Sequence, residues 1–197
     1  MKTEEFLRQV TAIPGVTGNE RRAAEFIAEA FRPWVDEVEI TPLNCVYAHK
    51  KGKGPKVLVC AHLDEIGMMV SKIEEDGSLR LQSVGGVDPR VLPGMRVRVY
   101  ARGGALLGVV GATPPHLLKE ADRKNNYTFE TLFVDLGMSP ETVRKKVRVG
   151  DTVCFEARYV PLKNDRAATK TADDRACVAI MLEAAKRLQK LAHRADL

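Results

Sequence analysis

The stretch Lys56-Val57-Leu58-Val59-Cys60-Ala61-His62-Leu63-Asp64-Glu65-Ile66-Gly67 decides how the rest of this 197-residue sequence is read. Residues 56–61 are apolar almost without interruption, the pattern of a central strand buried on both faces. The run ends at His62 and Asp64. Side chains alternate along a strand, so residues two apart project to one side and the imidazole can meet the carboxylate. Ends of parallel strands are where α/β proteins place ligands. A neutral imidazole is a common zinc ligand, and an adjacent carboxylate fixes its tautomer. Taken alone, the pair reads more simply as a strand-end histidine hydrogen-bonded to its loop.

Upstream, Phe6, Leu7 and Val10 at helical spacing predict a helix over 3–12 that stops near Pro14-Gly15. Thr17-Gly18-Asn19-Glu20 has the form of a capping box, and the stripe Ala23, Ile27, Ala30, Phe31 and Trp34 behind it is broken at Pro33. Strands are expected over 35–40 and 44–49. Downstream, residues 68–111 read as all-β, with hairpin turns at Asp76-Gly77 and Gly103-Gly104. Thr113-Pro114-Pro115-His116-Leu117-Leu118 and the polar residues 119–128 form a long connection. Ser139-Pro140-Glu141 opens a short helix with serine as its cap, and a strand is expected over 152–160. Val178, Met181, Leu182, Ala185, Leu188 and Ala192 make a second helical stripe. No repeat appears. This order predicts an α/β domain built from 1–67 and 161–197, interrupted by a β-rich insertion over 68–160.

Thr171-Ala172-Asp173-Asp174-Arg175-Ala176 lies at the mouth of the last helix. An N-cap aspartate and a surface ion pair with Arg175 explain one acid there. Two adjacent carboxylates repel, and a divalent cation would compensate them. That reading requires His62, 111 residues earlier, to lie close in space.

Composition bounds the alternatives. Hydrophobic residues make up 45% and charged residues 29%, so a packed core is expected and a disordered or low-complexity chain is excluded. The net charge of +5 is mild, and aromatic residues are only 6%. Lys50-Lys51-Gly52-Lys53 and Arg144-Lys145-Lys146 therefore read as solvated faces, not as a nucleic-acid surface. No apolar stretch reaches the roughly 18–20 residues of a membrane span, and the charged start is unlike a signal peptide, so a cytoplasmic protein is expected. Cys45, Cys60, Cys154 and Cys177 are widely spaced and are expected to be buried thiols, not disulfides. Gly103-Gly104 opens no helix and so is no phosphate loop. Met68-Met69 are expected in a core, Asp165-Arg166 and Glu65 as plain polar groups, and His193 as an exposed residue of a helix tail.

Ala61-His62-Leu63-Asp64-Glu65-Ile66-Gly67, Pro114-Pro115-His116-Leu117-Leu118 and Ala172-Asp173-Asp174-Arg175-Ala176, in this order and spacing, resemble the di-metal aminopeptidases that assemble into tetrahedral dodecamers. Members are known as glutamyl or deblocking aminopeptidases, and some as endoglucanases. The resemblance implies an α/β fold, a metallopeptidase-like mixed sheet with flanking helices, interrupted by a barrel-like dimerisation domain. It implies two divalent ions per complete site, zinc or cobalt with manganese as a third option. His62 would ligate one ion, Asp64 would orient that histidine and tune catalysis, and Asp173 would bridge the ions, joined to Asp174 through a cis peptide. His116 would be a structural or interface residue of the insertion.

The family continues with a Glu-Glu pair supplying the general base and a ligand, then a further aspartate and a late histidine, and this sequence has none of them. The expectation is therefore an N-terminal portion of a peptide-hydrolysing exopeptidase, holding no metal or one ion by itself, with an apolar sheet edge and helix face exposed. Its partners would be peptide substrate, the missing C-terminal segment and copies of itself, as a dimer up to a dodecamer. The other reading is a catalytically inactive oligomerisation or binding module that keeps the same front half.

Overall fold

The computed structural model describes residues 1–117 and 125–197, so Leu118 and residues 119–124 of the expected connection lie outside it. The chain divides into two compact units, Met1–Glu65 with Ala157–Leu197, and Ile66–Glu156.

The first unit opens with α1 (Thr3–Ala12) and α2 (Arg21–Phe31), then an antiparallel hairpin of β1 (Glu37–Ile40) and β2 (Val46–His49). The apolar stripes work as their spacing predicts. Phe6 and Val10 of α1 and Ile27 and Phe31 of α2 are buried together with residues of the C-terminal helix. Helix α2 ends at a short 3-10 turn over Arg32–Trp34, because proline has no N–H to continue the ladder.

Residues 56–61 form no ladder. Their one pairing is an isolated parallel bridge between Lys56 and Asp196, and Leu58 is 82% exposed. A strand exists only where neighbouring backbones accept its hydrogen bonds, and the described residues bring only Asp196 alongside, at the start of the run, where its carbonyl accepts from the Val57 N–H. Val57, Leu58 and Val59 instead line an apolar groove of about 690 Å³ with Phe31, Met181 and Leu188. The groove has the expected apolar helix face, through Met181 and Leu188, but not the expected sheet edge, because residues 56–61 form no strand.

The second unit is a closed barrel. Its strands are β3 (Gly67–Ile73), β4 (Leu79–Val84), β5 (Arg96–Ala101), β6 (Gly104–Ala112), β7 (Leu132–Asp135) and, after α3 (Pro140–Lys146), β8 (Thr152–Phe155). They close in the order β3-β4-β7-β6-β5-β8, which removes free sheet edges. Alternation fills the interior with Met68, Val70, Leu79, Val97, Val99 and Val153, all 0% exposed. Strand β7 escapes sequence reading because it is four residues long and follows a polar stretch. It closes the barrel against β6, where a Cβ on Gly111 would sit 2.5 Å from the Phe133 ring. Only glycine fits there. Ser139 caps α3, accepting a hydrogen bond from the Thr142 N–H. His116 is exposed in a 3-10 turn of this unit.

The strand expected over 152–160 is split. Its first half is β8, whereas Val160–Leu162 (β9) pairs with Arg166–Ala168 (β10) in the first unit. Helix α4 (Ala172–Leu188) then completes that unit's core through Val178, Leu182 and Ala185, so Ala192 lies beyond the helix. His193 is half-buried, with Nδ1 3.0 Å from the Ala195 carbonyl, not exposed on a helix tail. Cys154 alone of the four cysteines is buried, and none is bridged; Cys60 is exposed because the run carrying it is unpaired. Among the described residues no helix is long and apolar enough to cross a membrane.

Truncating a fully buried barrel residue leaves a cavity that the closed sheet cannot collapse. Leu79→Ala is expected to lower stability by about 2–5 kcal/mol, measured as a shift of the urea midpoint at unchanged slope.

Candidate metal centre

The site is built on the alternation of residues 61–65. Ala61 and Leu63 turn inward and pack against the helical core, and Glu65 is buried. His62 and Asp64 therefore turn outward together. His62 Nδ1 lies 3.0 Å from Asp64 Oδ1, and His62 Nε2 lies 3.2 Å from Asp173 Oδ1. The three residues singled out in the sequence thus meet around one ring.

Asp64 is held from its other side. The Thr17 hydroxyl donates to Asp64 Oδ2 at 2.5 Å. The expected capping box is not formed: the N-cap of α2 is Glu20, with no side-chain cap hydrogen bond, and Glu20 Oε1 accepts from the Gly18 N–H instead. Thr17 is thus spent on the site, 47 residues away, and not on its own helix. The T-x-x-E pattern could not reveal this.

Two residues read as peripheral, Arg175 and Glu65, prove structural. Arg175 is 0% exposed, not a surface ion-pair partner. Its Nη1 donates to the Val10 and Ile13 carbonyls at the end of α1, and its Nε donates to the Leu63 carbonyl between the two site residues. Gly15 makes room for it, since a Cβ there would lie 2.5 Å from Arg175 Nη2. Glu65 accepts from Lys170 Nζ at 2.6 and 2.9 Å and from the Gly15 N–H at 2.9 Å. This pair is almost wholly buried, so removing one partner would strand a charge. Thr171 lies in the left-handed region (φ 56°), and Asp173 and Asp174 are non-helical at the head of α4, joined by a cis peptide. Asp173 projects outward, its side chain 97% exposed.

Electrostatics follow the geometry. Burial lowers the His62 pKa, but hydrogen bonds to Asp173 and Asp64 outweigh it and the net shift is upward. The Thr17 hydrogen bond, followed by that of His62, holds Asp64 below the usual carboxylate range against opposing burial. At Cys177 a hydrogen bond to Asp174, with burial and the acidic pair, pushes the thiol up, so it stays protonated.

The donors fit a metal in part. With Nδ1–H donating a hydrogen bond to Asp64, His62 Nε2 offers a lone pair beside a carboxylate oxygen, and 3.2 Å is a separation two ligands of one zinc-sized ion can share. Among the described residues no group of three or more His, Cys, Asp or Glu could hold an ion.

The chain belongs to the M42 glutamyl aminopeptidase family, whose model matches residues 44–197. It is 37% identical over 197 residues to a lysyl aminopeptidase of Pyrococcus furiosus, covering 98% of this chain and 56% of that protein. The TET aminopeptidase structure from Thaumarchaeota archaeon SCGC AB-539-E09 superposes with a TM-score of 0.94 at 31% identity, over 98% of this chain and 56% of that one. The TET1 peptidase of Pyrococcus horikoshii, described as assembling into a tetrahedron or a large octahedral shell, gives 0.83 at 34% identity, over 94% and 56%. The chain spans about half the length of the relatives it matches. Peptidases of this family are generally metal-dependent.

Arg175→Met keeps the bulk but leaves three carbonyls without their charged donor. It is expected to destabilise the first unit by about 3–5 kcal/mol, measured by chemical denaturation.

Proposed function

We propose that this chain contributes His62, Asp64 and Asp173 to the metal centre of an aminopeptidase that removes N-terminal residues from peptides. The observation that supports this reading is the His62 ring standing between carboxylates drawn from positions 2 and 111 residues away. Two divalent ions, zinc or cobalt with manganese as the third option, would supply Lewis acidity and a bridging water of lowered pKa when bound. The chain's own residues prepare for that. Asp64 accepts a hydrogen bond from Nδ1–H and so leaves the Nε2 lone pair free as a ligand. Asp173 presents a solvent-open carboxylate suited to bridging. Arg175 and the Glu65–Lys170 pair fix the backbone on both sides of the imidazole.

The general base and the remaining ligands belong, in this proposal, to the part of the relatives' length that this chain does not span. The barrel serves as the dimerisation unit of a homo-oligomer from dimer to dodecamer, and the substrates are cytoplasmic peptides. A second reading, an inactive oligomerisation or binding module, draws support from the incomplete ligand set among the described residues.

In the full polypeptide carrying this sequence, release of free amino acids from short peptides is expected to require divalent metal and to fall at least about 100-fold in His62→Ala and in Asp173→Ala. Undiminished release in both variants sinks the aminopeptidase assignment. Metal analysis of the 197-residue chain is expected to find at most one weakly held ion, and two tightly bound ions would contradict the incomplete ligand set.

A further inference from the structure

We propose that Thr17 is a positioning residue of this centre, its hydroxyl orienting Asp64 so that His62 carries its proton on Nδ1 and presents Nε2 as a ligand. The metal-binding half of the statement rests on the function proposed above; the tautomer half stands on this chain alone.

The backbone, not the hydrogen bond, puts Thr17 there. Val16 is 1% exposed and pairs in parallel with Glu65, whose N–H donates to the Gly15 carbonyl at 2.8 Å. Thr17, one residue after Val16, and Asp64, one residue before Glu65, both turn to the opposite face of this pairing and meet diagonally across it. The chain then reverses in a turn closed by the Asn19 N–H donating to the Val16 carbonyl at 2.7 Å, with Gly18 at φ +90°, a conformation glycine adopts without penalty. The hydroxyl is thus delivered to the carboxylate by a pairing that owes nothing to the threonine side chain.

Its effect follows from donor and acceptor roles. An ionised carboxylate only accepts, so the hydroxyl donates to Oδ2. The carboxylate torsion is soft, and pinning Oδ2 turns Oδ1 toward the ring. The neutral imidazole has one proton to place between two carboxylates. With Asp64 held, Nδ1 keeps the proton and the Nε2 lone pair points at Asp173. A released Asp64 competes less well, and the proton redistributes toward Nε2, where it blocks a ligand position.

The test compares wild type with Thr17→Val, Thr17→Ala and Thr17→Ser. Imidazole nitrogen shifts of His62 are read in metal-free protein above the ring's titration range, and zinc affinity is read by competition with a chelating dye. Wild type and Thr17→Ser are expected to hold the Nδ1–H form. Thr17→Val and Thr17→Ala are expected to shift toward a mixture and to weaken zinc about 10-fold, at melting temperatures close to wild type. An unchanged tautomer in Val and Ala, or a Ser variant that behaves like Val, overturns the proposal. A tautomer shift in a protein that binds no zinc keeps the positioning role and removes the metal reading. Zinc binding that all three variants leave untouched does the reverse.

Discussion

The Arg175 guanidinium is the contact on which the site depends. It is wholly buried, and it spends its donors on carbonyls from three places: two at the C-terminal end of α1 and one at Leu63, between the outward-facing His62 and Asp64. Helix ends leave carbonyls without partners, and a buried cation that satisfies them binds the helix to whatever else it touches. Arg175 is also two residues from Asp173. One side chain therefore fixes the distance between the head of α4 and the His62 segment, and Gly15 lies beneath it because no side chain could.

Around that contact the polar groups divide by burial. Glu65 and Lys170, inside, tie the same segments together and carry no chemistry of their own. Thr17, Asp64, His62 and Asp173 lie outward in a chain of hydrogen bonds, each holding the next. The inner set makes the outer set rigid. Groups that meet solvent cannot also be locked by packing, so packed groups behind them must hold them.

Much of this was legible as pattern. The helical stripes, the turns, the Ser139 cap and the β-rich insertion depend on local spacing, and the structure follows them. Residues 56–61 were misread for a physical reason: apolarity marks a segment fit for a central strand, but strand structure resides in the partners, and the described residues supply only the single bridge to Asp196. Arg175 and Glu65 were misread because a charged residue beside a turn looks solvated until the carbonyls or the counter-charge around it are known. Thr17 was misread because a cap motif and a distant acceptor compete for one hydroxyl, and sequence shows only the near competitor.

The sequence by itself determined which side chains share a face: His62 with Asp64, the α4 stripe, and the alternating interior of the barrel. These follow from periods of 2 and 3.6 residues, which depend on nothing beyond the local backbone. Only the tertiary structure decided that Asp173 stands beside His62, that Thr17 reaches Asp64 and that Arg175 is buried. Those are meetings between residues 47 to 165 positions apart, and they are set by how helices and loops pack, not by any local rule.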